Sequence, residues 1–339
     1  FQCEDGKPPP YSYAYGGLSN GWGASFLPPA RSDIESWPIE WLKISTAFGE
    51  IVSTIPSVAS EDSLAEEFPV PLNSVSAVTT DFEKSLLSGF EFSKKLKGSR
   101  FIAGKARLAI DQRPNSRTAC VNCGLCMSGC IQGSIYKASS TFDSLITDDR
   151  IDYIGGIRVD RVCEDENLVR LHGRHEDGSE VILSCGRLFI AAGAVSTARI
   201  LINSRSTNNN LSLKDNLSVK TRGGFVMPVL SLRTIEHEIG APSLPNMFLE
   251  YRLDSKDKWV HVQLSLNNEL LTERLKLLFN KLPYGKNLLK KFNKHISVAL
   301  VNLHSNYSGT YEISKSNTQD ISVSKYRKRK LSLLKTFQH

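Results

Sequence analysis

Arg187-Leu-Phe-Ile-Ala-Ala-Gly-Ala194 is a nearly unbroken apolar run that stops at a glycine, with helix-like text from Ser196 to Ile202 directly behind it. Such a run reads as a strand buried on both faces, the signature of a parallel sheet. A small-residue turn and a helix start near Ser196 then offer free backbone N–H groups to a phosphate or a ribose. Working outward, Gly156 to Val162 and Leu168 to His172 alternate, and Asp177-Gly178 marks a turn before Val181 to Leu183. Three short strands with polar links predict a β-meander ahead of the buried strand.

Upstream, the text from Tyr11 to Pro29 is rich in glycine and aromatic residues, hence a loop in close approach to something. Helical stretches in 34–68 are broken by Pro38, Pro56 and Pro69. Thr80 to Leu96 reads as one amphipathic helix, with Phe82, Leu86 and Phe90 at fourfold spacing. Ile102, Ala106, Leu108 and Ile110 alternate as a strand would. After about Asn208 the pattern changes to longer alternating strands (Gly224 to Leu230, Trp259 to Leu266, Ile296 to Leu303, Thr310 to Ser314) with basic helices between them. That is the pattern of an α+β domain on an antiparallel sheet.

At 339 residues the chain has room for about two domains, and 40% hydrophobic with 23% charged residues excludes wholesale disorder. No apolar stretch approaches the ~20 residues that a membrane-spanning helix needs. The net charge of +7 is unevenly placed. Residues 271–294 and 325–335 are each net +6, which leaves the remainder at −5. A nucleic-acid binder would spread its basic residues over one recognition face, so nucleic acid is not an expected partner. In the first basic segment Leu275, Leu278, Phe279 and Leu282 share a face before Pro283. It reads as a solvated helix, or as one lying on an anionic membrane surface. No secretory leader is legible, and the expected location is cytoplasmic, with peripheral membrane contact as an option.

Two further stretches carry chemistry. Gly16-Gly-Leu-Ser-Asn-Gly-Trp-Gly-Ala24 supplies bare backbone amides, two short hydrogen-bonding side chains and an indole, enough to wrap the edge of a flat polar cofactor. Cys120, Cys123, Cys126 and Cys130 repeat the C-x2-C-x2-C-x3-C spacing of bacterial ferredoxins, with Gly124 and Gly129 to bend the loop. A single iron–sulfur cluster would take Cys130, or a distant Cys163 or Cys185, as its fourth ligand. The alternative is free thiols or a disulfide. Among the histidines, His172 and His175 flank a turn and are expected to face water. His304 is the most tempting base but reads as structural.

Taken in order, four motifs resemble the glucose–methanol–choline (GMC) family of FAD-dependent oxidoreductases. They are Tyr15 to Ala24; Ser36-Trp-Pro-Ile39; Cys123-Gly-Leu-Cys126 through Gly129-Cys130 to Tyr136-Lys-Ala-Ser139; and Leu188 to Ala194 with Arg199-Ile-Leu201. The resemblance spans about Tyr15 to Asn216. It implies a Rossmann-like FAD-binding domain (α/β) over 1–30 and 115–207, a mostly helical excursion over 31–114 and a substrate domain (α+β, antiparallel sheet) over 208–339. It implies that Gly16, Gly17, Ser19, Asn20 and Trp22 pass along the pyrophosphate and flavin. It places the Val159 backbone at the adenine, packs Ala192 and Gly193 on the ribose–pyrophosphate, and puts the cysteines on a loop near the cofactor. The reaction implied is oxidation of the CH–OH group of an alcohol or sugar, with hydride passing to flavin and a base removing the hydroxyl proton. The electron acceptor is left unidentified. No Gly-x-Gly-x-x-Gly occurs, and the family's C-terminal histidine segment has no counterpart, so the catalytic residues stay unassigned. The expectation is an internal piece, or a version shortened at both ends, that binds FAD weakly or not at all and is inactive alone. Its rivals are an iron–sulfur electron-transfer module and a catalytically dead scaffold.

Overall fold

The structure, a computed structural model, describes residues 2–3, 10–70, 75–76, 81, 83–89, 101–205, 216–232, 234–235, 243–252, 258–266, 269–315 and 321–327. Expectations resting on Phe82, Phe90, His237 and Lys328 to Lys335 lie outside the described residues. The chain divides into two compact units. Unit 1 takes residues 1–18, 138–223 and 305–339; unit 2 takes 19–137 and 224–304. These limits follow packing, whereas those expected after residues 30, 114 and 207 followed composition and motif order.

Unit 1 is built round one helix. Strands β5 (Ile157–Asp165), β6 (Leu168–His175) and β7 (Glu180–Cys185) form the expected antiparallel meander. The β6–β7 turn is fixed by Asp177, whose Oδ1 accepts from the Ser179 amide at 2.9 Å and its hydroxyl at 2.6 Å. Helix α4 (Ala194–Ser204) packs on β5 through Ser204, whose Oγ donates to the Ile200 carbonyl at 2.6 Å and accepts from the Val162 amide at 2.8 Å. Its other side, Val195, Ala198 and Ile202, buries against Ile313, Ile321 and Val323. Those residues belong to β13 (Thr310–Lys315) and β14 (Ile321–Arg327). Together with β8 (Asn216–Lys220) and β1 (Gln2–Cys3) these form a four-stranded sheet ordered β1-β14-β13-β8. Burying one such isoleucine is worth roughly 1.5–3 kcal/mol, so this apolar layer holds the unit together. Helix α3 (Ala138–Thr147) also belongs here; its Asp143 accepts from Tyr15 Oη at 2.9 Å.

Unit 2 carries a five-stranded sheet in the order β4 (Phe101–Lys105), β10 (Met247–Tyr251), β11 (Val260–Leu266), β12 (Ile296–Leu303) and β9 (Gly223–Leu230). The β4–β10, β10–β11 and β11–β12 pairs are antiparallel. Phe248 and Ile102 face the larger core with Ala24, Leu64, Phe68 and Trp259. One residue along, Met247 and Leu264 face the opposite side, where Leu86 and Leu87 of helix α2 (residues 83–89) cover them. Helix α1 (Trp41–Thr54) lies between Pro38 and Pro56, as the proline pattern predicts. Helices α5 (Glu269–Phe279) and α6 (Gly285–Phe292) are the basic ones. Leu275 and Phe279 on α5 pack against Leu289 and Ile296, so this apolar face is used inside the unit.

An ion pair ties the core to β4. Asp62 accepts from Arg107 at 2.7 and 2.8 Å, from the Lys105 amide at 2.9 Å and from the Leu64 amide at 3.1 Å. Gly104 lies beneath it, and a Cβ there would meet the carboxylate at 2.3–2.4 Å.

Two expectations are corrected. The run from Arg187 to Ala192 is not a strand, and Phe189 is 82% exposed. A strand is made by its neighbours, and no described strand pairs with this run. Parallel pairing among the described residues is limited to two-residue contacts, β1 with β14 and β2 (Val58–Ala59) with β3 (Val75–Ser76). The fold is therefore mixed α/β with antiparallel sheets. The stretch after Ile102 does not alternate either. It leaves β4 at Lys105, and Ala106 to Asp111 are all buried, bridged to Ser25, Val58 and Ile135.

Candidate functional site

A cleft of about 270 Å³ opens in unit 1 between the meander and the segment leading into α4. Val159 and Ala192, 33 positions apart in sequence, share its wall with Val162, Leu171, Ala191 and Ile200. Gly193 follows as the residue before α4, at φ 81°, a conformation that favours glycine. The cleft is mainly apolar, and its polar features are fixed by Arg199. That side chain, buried, donates to Asp160 at 3.1 Å and to the Val159 carbonyl. Sequence reading gave Arg199 no role, although its place one turn into a helix behind a glycine corner was the available signal.

The glycine loop is brought only partly to this cleft. Ser12 and Tyr13 line it together with Ala191 and Ala192, so the chain approaching Gly16 and Gly17 passes along it. Gly16 and Gly17 take φ of 83° and 60°, and a 3-10 turn covers Gly17–Gly21. Ser19, Asn20 and Trp22 belong to unit 2, where Trp22 Nε1 donates to the Tyr136 carbonyl at 2.8 Å and the ring packs on the core. Trp22 is thus an anchor for its loop.

The four cysteines of the ferredoxin-like run all line one cavity of about 20 Å³, beside Ile110 and Ile135. That is space for about one water molecule. Among the described residues no three His, Cys, Asp or Glu side chains are arranged to hold a metal ion. Cys163 and Cys185 lie in the meander of unit 1. Asp111 organises the loop. It accepts from Arg113 Nε and Nη2 at 2.9 Å, from Ser116 at 2.5 Å and from Thr118 at 2.8 Å, bonds that hold its carboxyl well below the usual range against the effect of burial. Burial pushes the Cys120 thiol up. It acts likewise on Cys130, but donation from the Ile135, Ser134 and Gly133 amides outweighs it and brings that thiol down.

Unit 2 holds a pair that no motif announced. Glu250 and His261 stand directly opposite each other on β10 and β11, and Glu250 Oε1 lies 2.5 Å from His261 Nδ1. Glu250 is fully buried. Burial raises its carboxyl, the charge of His261 opposes this, and Asp33 adds to it. Phe248 holds the imidazole edge to face at 4.8 Å, and Gln263 Nε2 lies 3.1 Å from Nε2. With the Gln263 amide donating to Nε2, that lone pair is engaged and the ring proton lies on Nδ1, facing Glu250. Asn302, opposite His261 on β12, has a buried amide nitrogen without a hydrogen-bond partner among the described residues. His304 pairs at 3.6 Å with Asp33, whose carboxyl is raised by burial. Only strand register, absent from a sequence motif, could have found Glu250 and His261. No helix among the described residues is long and apolar enough to cross a membrane. No family model matches this chain, and no curated protein is significantly similar to it in sequence.

Proposed function

We propose that the chain is part of a GMC-type, FAD-dependent oxidoreductase acting on the CH–OH group of an alcohol or sugar. The observation that carries this reading is the meeting of Val159 and Ala192, two residues the family resemblance assigns to the cofactor, in one apolar cleft ahead of Gly193. The fit extends to one end of a dinucleotide. A cleft of about 270 Å³ with aliphatic walls suits a flat ring and little more. Bound flavin would supply the hydride acceptor. Ala191 and Ala192 would give a flat apolar wall, and the glycine at the α4 start lets backbone approach a polar group without a side chain between. Equilibrium dialysis with FAD and with ADP tests the reading. Weak binding of both is expected, with loss in Ala192→Trp, which fills the cleft. No binding of either, or equal binding by the variant, overturns it.

The second reading, an iron–sulfur electron-transfer module, draws on the ferredoxin-like spacing of Cys120, Cys123, Cys126 and Cys130, which line one cavity although they are not arranged to hold a metal ion. Iron and sulfide assays after anaerobic purification decide it, since the module requires both at fixed stoichiometry.

A further inference from the structure

The outer side of the meander in unit 1 bounds a second cavity, of about 350 Å³ and with polar walls. Arg158, Arg161, Arg174 and Lys315 line it, and among the described residues the acids lining it are Asp160 and Glu180. The charge of Asp160 is divided among three guanidinium groups, with Arg158 Nε at 3.1 Å, Arg174 Nε at 3.4 Å and Arg199 Nη1 at 3.1 Å. Glu180 lies 3.8 Å from Arg174. Arg161 meets no carboxylate among the described residues. Its Nη1 donates to Cys163 Sγ at 3.0 Å, and its Nη2 lies 3.3 Å from His172 Nδ1.

His172, expected to face water, instead lines this cavity half-buried. Burial first, and then the charge of Arg161, hold its imidazole below the ordinary value; Arg170 on β6 adds to this and Glu180 on β7 opposes it. With Nδ1 accepting from Arg161, the neutral ring keeps its proton on Nε2, one more donor. Several forked donors and a surplus of positive charge round an open polar cavity are the conditions for binding a tetrahedral oxyanion.

We propose that the cavity lined by Arg158, Arg161, Arg174, Lys315 and His172 binds a phosphate group. Arg158 also borders the apolar cleft, so a phosphate ester carrying a flat ring has a wall for each part. The proposal does not depend on the flavin reading, since it rests on a separate polar cavity that shares only Arg158 with the lining of the apolar cleft.

Calorimetric titration of the whole chain at low salt with inorganic phosphate, AMP and adenosine tests it. Phosphate and AMP are expected to bind and to weaken as NaCl rises from ~20 to ~300 mM. Arg161→Gln is expected to weaken both by about tenfold while adenosine is unaffected. Tighter binding of AMP than of phosphate assigns the site to an ester, and equal binding assigns it to the free ion; either supports a phosphate site. Lys315→Gln, at an exposed position, repeats the test where folding is not in question. In an NMR titration, saturating phosphate should move the His172 pKa upward as the anion offsets Arg161. Binding of AMP no tighter than that of adenosine, equal AMP affinity in both variants and the parent chain, or an unmoved His172 overturns the proposal.

Discussion

Asp62 and Asp160 are both aspartates gripped by arginine, yet they sit in opposite electrostatic settings. Asp62 accepts from both terminal nitrogens of one guanidinium plus two backbone amides, and its partner Arg107 is 1% exposed. The count of charge is balanced and the pair is mostly buried. Asp160 serves three guanidinium groups beside an open cavity, two of them about half exposed. Charge there is in surplus and solvent can reach it. Burial with matched charge makes a structural tie, whereas exposure with unmatched charge leaves capacity for a ligand. The same two residue types serve both ends.

The comparison breaks most readily at Asp62. Asp62→Ala leaves the Arg107 guanidinium buried without its carboxylate, and a loss of about 3–5 kcal/mol in unfolding free energy is expected from urea titration. A loss below about 1 kcal/mol would mean that the pair is no better placed than a surface one.

A smaller effect separates the two kinds of buried acid in unit 2. Burial raises the Glu250 carboxyl, so the folded state holds this proton more tightly than the unfolded chain does. Its contribution is fully present below the ordinary glutamate value and is lost as pH rises through the folded one. Asp111 behaves in the reverse sense. Its carboxyl is lowered by Arg113, so its contribution is present above the ordinary aspartate value and lost as pH falls. The melting temperature of Glu250→Gln should fall less than that of the parent chain as pH rises above the usual glutamate range. That of Asp111→Asn should fall less on acidification below it. Parallel curves for variant and parent would show that neither carboxyl is shifted by its surroundings.

Local order was legible and partnership was not. The meander from Ile157 to Cys185 follows from alternation and the Asp177-Gly178 turn, both readable over a few residues. The start of α4 follows from Gly193, because few other residues accept that backbone. The four cysteines were equally local, and their spacing alone brought them to one cavity. Arg187 to Ala192 failed because an apolar run states that a strand is possible, while pairing decides whether one forms. Arg107 and Asp62 lie 45 positions apart, and Glu250 and His261 meet only through the β10–β11 register. Gly104 reads as a weak point in a strand until the carboxylate lying over it is seen.

The mildest perturbation tests the other half of the contrast. Glu180 is 79% exposed and lies 3.8 Å from Arg174, at the edge of the basic cavity. An ion pair of this length and exposure stabilises little, so Glu180→Gln should leave the melting temperature within about 1 °C of the parent chain. Its charge nevertheless opposes any anion entering the cavity, and it also raises the His172 imidazole. Removing it should therefore tighten phosphate binding by a few-fold and lower the His172 pKa in the absence of ligand, both readable in one NMR titration. A melting temperature that drops by several degrees would place Glu180 with Asp62 as a structural partner. Unchanged phosphate affinity at constant stability would show that the surplus charge of this cavity is already neutralised by solvent and salt, as a screened surface would be.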